Sequence, residues 1–263
     1  MNHSNNFLYH SPCDNCGSRD NKAVYDDGHT YCFGCQEYKK ENGELPKKEK
    51  IVTDMIDGIT EALPSRKIDE ETCKKFNYQT GTYKGEPVHI ANFYDKEHNR
   101  VAQKLRYQDK RFTWLGDADK ITLFGQNIWR DGGKMIVITE GEIDALSVSK
   151  VQNNKYPVVS VPSGATSAKK YIKKELDWLS KFENIVLMFD NDTAGKSASI
   201  ECANILPVKK VKIATLPAKD PSELLQKGKG EQIVSCMWEA KAYTPQGIIR
   251  GNETKELLLK DDL

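Results

Sequence analysis

From about residue 135 the chain alternates short apolar runs rich in β-branched residues with stretches of helical period. This alternation predicts a strand over 135–139, a helix over 142–152, a strand over 157–162 and a helix over about 166–181. A strand over 184–189, a helix over 194–205 and a strand over 210–216 follow. Alternating β and α with short loops predicts a parallel-rich sheet with helices on both faces. Upstream, Val88 to Tyr94 and Val101 to Tyr107 read as strands separated by a charged turn at Asp95 to Asn99. A helical pattern is expected from about Asp57, with Asp69 as N-cap of the stretch D-E-E-T-C-K-K-F. These pieces predict a small mixed subdomain before the main sheet. Near the amino terminus, Ala23 to Tyr25 and His29 to Tyr31 flank Asp26-Asp27-Gly28, a hairpin turn signal. Residues 39–54 have no apolar period and contain Gly43, Pro46 and alternating charge, so they read as a solvated linker.

Composition narrows the function classes. The 263 residues carry 39 basic and 38 acidic side chains, a net charge of +1. There is no global basic field, so any affinity for nucleic acid must come from local patches. Mean hydropathy is −0.65 and 29% of residues are charged, which predicts a wet surface. No apolar run has the length needed to cross a membrane, and the first residues do not form a signal peptide. Seven cysteines are an odd number, and four of them fall in CxxC pairs. That usage predicts metal ligation in a reducing compartment rather than a disulfide scaffold. Cys73, Cys202 and Cys236 sit in helical patterns and read as small buried hydrophobes.

Cys13 and Cys16, then fifteen residues, then Cys32 and Cys35 have the spacing of a four-thiolate zinc ribbon. Four thiolates leave no open coordination position, so one structural Zn2+ is expected there. About 40 residues bury too little core to fold alone, so the metal should supply much of the stability. His29 lies beside the hairpin tip. As a fifth ligand it would compete with a complete set, and as a surface histidine it would be unremarkable.

Acidic residues mark the ends of two predicted strands. Thr139-Glu140-Gly141-Glu142-Ile143-Asp144 turns from strand into helix, and Asp190-Asn191-Asp192 follows the strand over 184–189. Carboxylates gathered at the carboxyl edge of a parallel sheet repel one another unless a cation neutralises them. Oxygen ligands without histidine or cysteine suit Mg2+ or Mn2+, with Glu140, Asp190 and Asp192 as ligands. Acids at helix N-termini also serve as ordinary caps. Asp220, after Leu216-Pro217-Ala218-Lys219, fits either an N-cap or a member of the acidic group.

The strings T-E-G-E-I-D and M-F-D-N-D resemble the TOPRIM signature of primases, topoisomerases and some nucleases. With C-D-N-C-G-S, D-G-H-T-Y-C-F-G-C, Q-K-L-R-Y-Q-D-K, L-F-G, K-Y-P-V-V-S and L-P-A-K-D, the chain resembles the primase half of T7-type phage primase-helicases from about Phe7 to Gly247. The resemblance implies an α/β fold: a TOPRIM-type parallel-rich sheet with a small mixed α+β subdomain, preceded by a small β zinc ribbon. The corresponding segments are 1–40 ribbon, 41–55 linker, 56–134 basic subdomain, 135–243 TOPRIM and 244–263 a terminal linker segment. It implies DNA primase activity, the template-directed joining of ribonucleoside triphosphates into short RNA primers on single-stranded DNA. It further implies catalytic roles for Glu140, Glu142, Asp144, Asp190, Asp192 and Asp220, with the magnesium on the acidic group. Lys104, Arg106 and Lys110 would meet triphosphate or template backbone, and Asp27 and His29 would contact the template. By charge alone, those three cations also fit a solvated face. Tyr107 and Gln108 depart from the family, standing where a T7-type primase carries further charge.

The implied partners are a replicative DNA polymerase and a helicase, in cis or in trans, in the host cytoplasm. Closed rings in the family come from the helicase part, so this chain is expected to be a monomer. Two rival readings use the same residues. One is a TOPRIM metal-dependent nuclease. The other is a non-catalytic TOPRIM and zinc DNA-binding mediator. Gly195-Lys196-Ser197 resembles the end of a phosphate loop, but position 190 is aspartate where the loop needs glycine, so no ATPase motif is read there.

Overall fold

The computed structural model describes residues 6–40 and 54–245. The linker expected over 41–55 and the terminal segment expected over 244–263 therefore lie almost wholly outside the described residues. The chain forms two compact units, Met1–Ile51 and Val52–Leu263.

The first unit is an antiparallel four-stranded sheet in the order β1 (Phe7–Ser11), β2 (Lys22–Tyr25), β3 (His29–Cys32), β4 (Tyr38–Lys40). The hairpin between β2 and β3 turns at Asp26-Asp27-Gly28, where Gly28 has φ +85° and its N–H donates to the Tyr25 carbonyl at 3.1 Å. A positive φ at a turn tip is the conformation glycine adopts without a Cβ penalty. The buried apolar side chains here are Cys13, Ala23, Val24 and Cys32. Two of the four are cysteines, so a metal-free ribbon has almost no core.

The second unit begins with a meander, β5 (Tyr78–Tyr83), β6 (Glu86–Tyr94), β7 (Arg100–Tyr107) and β8 (Phe112–Gly116), all antiparallel. The middle two strands are those the sequence predicts; the outer pair escaped it. The turn between β6 and β7 is closed by Asp95, whose carboxylate accepts from the Glu97 and Asn99 N–H groups. Asp69 caps α1 (Glu70–Lys75), accepting from Thr72 N–H at 2.9 Å. The helical pattern expected from Asp57 does not form. Ile59 instead bridges to Thr80 on β5. A Cβ on Gly58 would stand 2.7 Å from Ile90 Cδ1 and 2.8 Å from the Thr80 carbonyl, so this stretch is held extended against the meander.

The main sheet comprises β9 (Ile136–Thr139), β10 (Val158–Ser160), β11 (Ile185–Met188), β12 (Val211–Ile213) and β13 (Lys241–Ala242), in the order β10-β9-β11-β12-β13. The first four are parallel and β13 is antiparallel. The crossovers are α2 (Glu142–Val151), α3 (Ala165–Lys174) with α4 (Leu176–Leu179), and α5 (Thr193–Ala203); α6 (Pro221–Gln226) and α7 (Gly230–Trp238) follow β12. Strand residues alternate between two cores. Val137, Val186 and Met188 pack with Ile143, Leu146, Leu224 and Leu225, whereas Ile136, Ile138, Ile185 and Leu187 pack with Ala168, Ile172, Ala198 and Cys202. Both faces are covered by helices, so the central strands β9 and β11 read as continuous apolar runs.

The helix expected over about 166–181 is broken. α3 ends at Lys174, and Glu175 leaves helical geometry with φ −107° before α4 starts. The Glu175 side chain is turned inward and accepts from Gln126 Nε2 at 2.9 Å. That bond holds one oxygen of the buried carboxylate at the bend, while its Oε1 has no hydrogen-bond partner among the described residues. Cys73 and Cys202 are fully buried, and burial pushes both thiols up to about 12, as inert core positions require. Cys236 is half-buried.

Candidate functional site

The strand order places β10 on one side of β9 and β11 on the other. The strand order therefore reverses between β9 and β11, which run parallel, and open α/β sheets bind ligands at the carboxyl ends flanking such a switch. Glu140 follows β9 and Asp190 follows β11, one at each lip. Asp144 lies in the first turn of α2 and Asp220 caps α6, so three strand-to-helix connections bring four acids to one edge.

Each acid has a distinct environment. Glu140 Oε1 accepts from the Ala165 N–H that opens α3, at 3.2 Å. Its Oε2 is buried and has no hydrogen-bond partner among the described residues. Asp190 is pushed up to about 6 by burial first, then by the nearby charges of Glu140 and Asp220; the Lys219 ammonium at 3.5 Å pulls the other way. Asp144 is held well above the carboxylate range by burial, then by Asp220 and Asp190. Its Oδ1 accepts from Ser222 N–H at 3.1 Å, tying α2 to α6. Asp192 is exposed and caps α5, accepting from Gly195 N–H at 2.9 Å. Asp220 accepts from Glu223 N–H at 2.7 Å.

An orphaned carboxylate oxygen and an aspartate raised by like charge form an all-oxygen donor set that a hard divalent cation would relieve. Glu140, Asp190 and Asp192 are not drawn together as tightly as a preformed cage. Among the described residues, the gathered cluster of possible metal ligands is that of the four cysteines.

Two glycines let these loops pack. A Cβ on Gly195 would stand 2.2 Å from the Asp190 carbonyl oxygen, so α5 can start against the Asp190 backbone because that position has no side chain. This accounts for the Gly195-Lys196-Ser197 string without a phosphate loop. Gly164, with φ +70°, opens α3 beside Glu140.

The basic residues are placed unequally. Lys104 on β7 is buried, and its Nζ donates to Glu142 Oε1 and to the Pro162 carbonyl, both at 2.8 Å. It bolts the meander onto the first turn of α2 and the loop after β10, so in this arrangement its charge is spent within the protein. Arg106, half-buried on the same strand face, lies 5.6 Å from the Phe112 ring, and Lys104 lies 4.5 Å from it. Lys110 is exposed at the tip of the β7–β8 turn, with φ +68°.

In the first unit the four sulfurs lie within 4.8 Å of one another. Cys13 and Cys35 Sγ are 3.7 Å apart, and Cys16 and Cys32 Sγ 3.6 Å apart. A tetrahedron with metal–sulfur bonds of about 2.3 Å has edges of about 3.8 Å, so the set fits a zinc ribbon. The Cys35 N–H, aided by that of Gly34, draws the Cys32 thiol down to about 6. His29 is outside this cluster. It is buried, not on the surface: its ring stacks on Tyr25 at 4.1 Å and its Nδ1 contacts the Asp27 carboxylate. The large exposed rings of the ribbon are Phe7, Phe33 and Tyr38.

Comparison with known proteins places this geometry. The family described as bacteriophage T7 DNA helicase/primase, N-terminal a+b fold, matches residues 58–116. A Toprim-like family matches residues 137–225. The crystal structure of the primase fragment of the bacteriophage T7 primase-helicase superposes with a TM-score of 0.68 at 40% identity, covering 89% of this chain and 100% of that one. The chain belongs to the T7-type primase-helicase family. The DNA helicase/primase of Enterobacteria phage T3 is 37% identical over 97% of this chain and 48% of its own length, so the chain spans about half of that relative. The E. coli primase catalytic core shares the fold alone, at TM-score 0.52 and 16% identity over 68% of this chain and 72% of that one.

Within this family frame, sequence reading overlooked two residues at the acidic edge. Lys219 faces Asp190, although the string L-P-A-K-D carried it. Asn191 joins the loops, its N–H donating to the Lys219 carbonyl at 2.7 Å and its Nδ2 to the Leu216 carbonyl at 2.8 Å. His89 was also missed. It pairs across strands with Arg106, and its pKa is lowered by burial and then by Arg106 and Arg66. Only the register of β6 on β7 puts it beside Arg106, and no local sequence signal carries that register.

Proposed function

We propose that this chain is a DNA primase, joining ribonucleoside triphosphates into short RNA primers on a single-stranded DNA template. Membership in the family supports the reading, and one observation carries it: Glu140, with a buried carboxylate oxygen that no donor among the described residues satisfies, and half-buried Asp190 stand on the two strand ends where the strand order reverses. Glu140, Asp190 and Asp192 would hold Mg2+ or Mn2+, with Asp220 beside them. Bound there, the ion would lower the attacking 3′-hydroxyl's pKa and offset charge on the departing pyrophosphate. Glu142 and Asp144 act at one remove, the first by fixing Lys104 and the second by joining α2 to α6. Arg106 and Lys110 offer their cations to triphosphate or template, Arg106 with a planar fork suited to phosphate.

In the ribbon, Cys13, Cys16, Cys32 and Cys35 would hold one structural Zn2+. Asp27 and His29 would meet the template, with His29 oriented by Asp27 and Tyr25. The solved complex of T7 lagging-strand DNA polymerase with primase domains bound to an RNA/DNA hybrid, whose primase is 41% identical, supports a polymerase partner for this chain. A helicase, in cis or in trans, and action in the host cytoplasm complete the reading, with the chain itself monomeric. No helix among the described residues is long and apolar enough to cross a membrane.

The test is primer synthesis on a random-sequence single-stranded DNA pool with ribonucleoside triphosphates and Mg2+, the products being sequenced. Oligoribonucleotides made by the wild type and lost in Asp190→Asn are expected. Cleavage of the template without synthesis would reassign the acids to a nuclease. Binding without either reaction, unaffected by Glu140→Gln, would reassign the chain to a non-catalytic mediator.

A further inference from the structure

Helix α3, Ala165–Lys174, reads A-T-S-A-K-K-Y-I-K-K: four lysines and no acid in ten residues, in a chain whose charges otherwise nearly cancel. Its buried side is accounted for by Ala168 and Ile172, which pack into the core. Lys174 is also accounted for, its Nζ donating to the Asp119 and Ile121 carbonyls at 3.0 and 2.6 Å. Lys169 and Lys173 are not, and Lys170 has only a distant ring contact, its Nζ lying 5.7 Å from the Tyr171 ring centroid. All three are exposed, and no ion pair joins them to an acid among the described residues. Cations in the last turn favour the helix dipole, which covers Lys173. Lys169 and Lys170 stand mid-helix, where the i,i+4 pairs Lys169–Lys173 and Lys170–Lys174 put like charges together at a cost to the helix. A merely solvated face would relieve that cost with interspersed acids.

The position of the helix says what the charge faces. Ala165 N–H, in its first turn, donates to Glu140 at the acidic edge. From that edge α3 runs about 15 Å along the sheet at 1.5 Å per residue. Lys169 and Lys173 are about 6 Å apart along the axis, the length that carries about two charges of one nucleic-acid strand. The lone aromatic of the helix, Tyr171, is half-buried against both cores, so the face offers charge without a stacking platform. Such a face positions a backbone and reads no bases.

We propose that Lys169, Lys170 and Lys173 form a phosphate track for the polynucleotide that passes beyond the acidic edge. The proposal deepens the primase reading and rests on it for the identity of the polynucleotide. The occupant is a phosphodiester backbone, from either the single-stranded template or the RNA–DNA hybrid.

The triple variant Lys169→Ala, Lys170→Ala, Lys173→Ala tests it. Alanine is the better helix former, so α3 is expected to keep its structure, and unchanged thermal unfolding checks this. Binding of a 20-nucleotide single-stranded DNA and of an RNA–DNA hybrid is measured over a series of KCl concentrations. For single strands, three lost contacts are expected to lower the salt slope by about 2. A change for the single strand identifies the template as occupant, and a change for the hybrid alone identifies the product. The Lys→Arg triple variant should keep the wild-type slope. Joining of two nucleotides on a trinucleotide template, too short to reach along α3, should keep its wild-type rate. Parallel salt lines for wild type and alanine variant on both ligands would overturn the track. Failure of the wild type to join nucleotides would instead overturn the primase reading, leaving the salt slopes to report on the track independently.

Discussion

Replacing Asp190 by asparagine should inactivate the protein and, without magnesium, stabilise it. The carboxyl is raised from 3.8 to about 6 by burial and by Glu140 and Asp220. A raised carboxyl binds more protons in the folded state than in the unfolded state between those two values. Stability therefore falls as pH rises from about 4 to about 6, and the full penalty persists at higher pH. A shift of about 2 pH units corresponds to about 3 kcal/mol at 1.36 kcal/mol per unit. The side chain keeps 15% of its exposure, so solvent trims the figure to about 2 kcal/mol. Losing the Lys219 contact subtracts less than about 1 kcal/mol, because Lys219 is exposed. Each kcal/mol moves the midpoint of a unit this size by about 2–4 °C.

The four tryptophans, Trp114, Trp129, Trp178 and Trp238, all lie in the second unit, so their fluorescence follows its unfolding and not that of the ribbon. In magnesium-free buffer at pH 8, Asp190→Asn should melt several degrees above the wild type. The gap should close as pH is lowered to about 4. Added Mg2+ should raise the wild-type midpoint and leave the variant's unchanged. A gap independent of pH, or a variant melting below the wild type at pH 8, would refute the argument from crowded charge.

Lys104→Ala should cost about 3–5 kcal/mol in urea unfolding, because it strands Glu142 buried and charged, whereas Lys104→Met with Glu142→Leu should recover most of that loss. Gly195→Ala should lower the midpoint despite alanine's better helix propensity, since the new Cβ meets the Asp190 carbonyl oxygen, with about 1–3 kcal/mol of overpacking expected in thermal melts. Cys32→Ser should unfold the ribbon without moving the tryptophan transition, and, like a fragment beginning near Asp54, should join nucleotides slowly with no template preference; unchanged product sequences from either protein would move template reading into the second unit.

The central strands of the main sheet were legible because they are buried on both faces, whereas the exposed edge strand β13 was not read. Ile136 to Thr139 and Ile185 to Met188 show as short apolar runs, and acids at their ends mark the edge. The β5 and β8 strands were not legible. Tyr78 to Tyr83 and Phe112 to Gly116 contain exposed and half-exposed positions and glycines, and they gain their identity from pairing with β6 and β7. The expected helix after Asp57 failed for a related reason, since the fit of Gly58 against Ile90 and Thr80 is a long-range packing fact. At the site, residue types and places were readable but partners were not. The family resemblance makes Lys104 a phosphate ligand and its charge alone fits a solvated face; its bonds to Glu142 and the Pro162 carbonyl span 38 and 58 residues of sequence. The sequence leaves His29 open between a surface residue and a template contact, because its enclosure by Tyr25 and Tyr38 follows from the pairing of β3 with β2 and β4.

The same distinction explains how the edge can be both stable and reactive. Asp192 and Asp220 are tied down by the first turns of α5 and α6, so their carboxylates are satisfied by backbone N–H groups before any cation arrives. Asp190 and Glu140 carry an unsatisfied share, one as a raised pKa and the other as an oxygen without a donor, and buried Asp144 behind them is raised as well. Capped acids hold the loops in place at little cost. Glu140 and Asp190 place part of the electrostatic strain at the lips of β9 and β11. A cation entering there would gain most from Glu140 and Asp190 and would draw Asp192 from its cap only if coordination outweighed that bond. Replacement of Asp192 by asparagine, which preserves the cap, therefore separates the two roles. Retained helix stability with weakened magnesium dependence assigns Asp192 to the cation, and retained stability with unaltered magnesium dependence leaves it a cap.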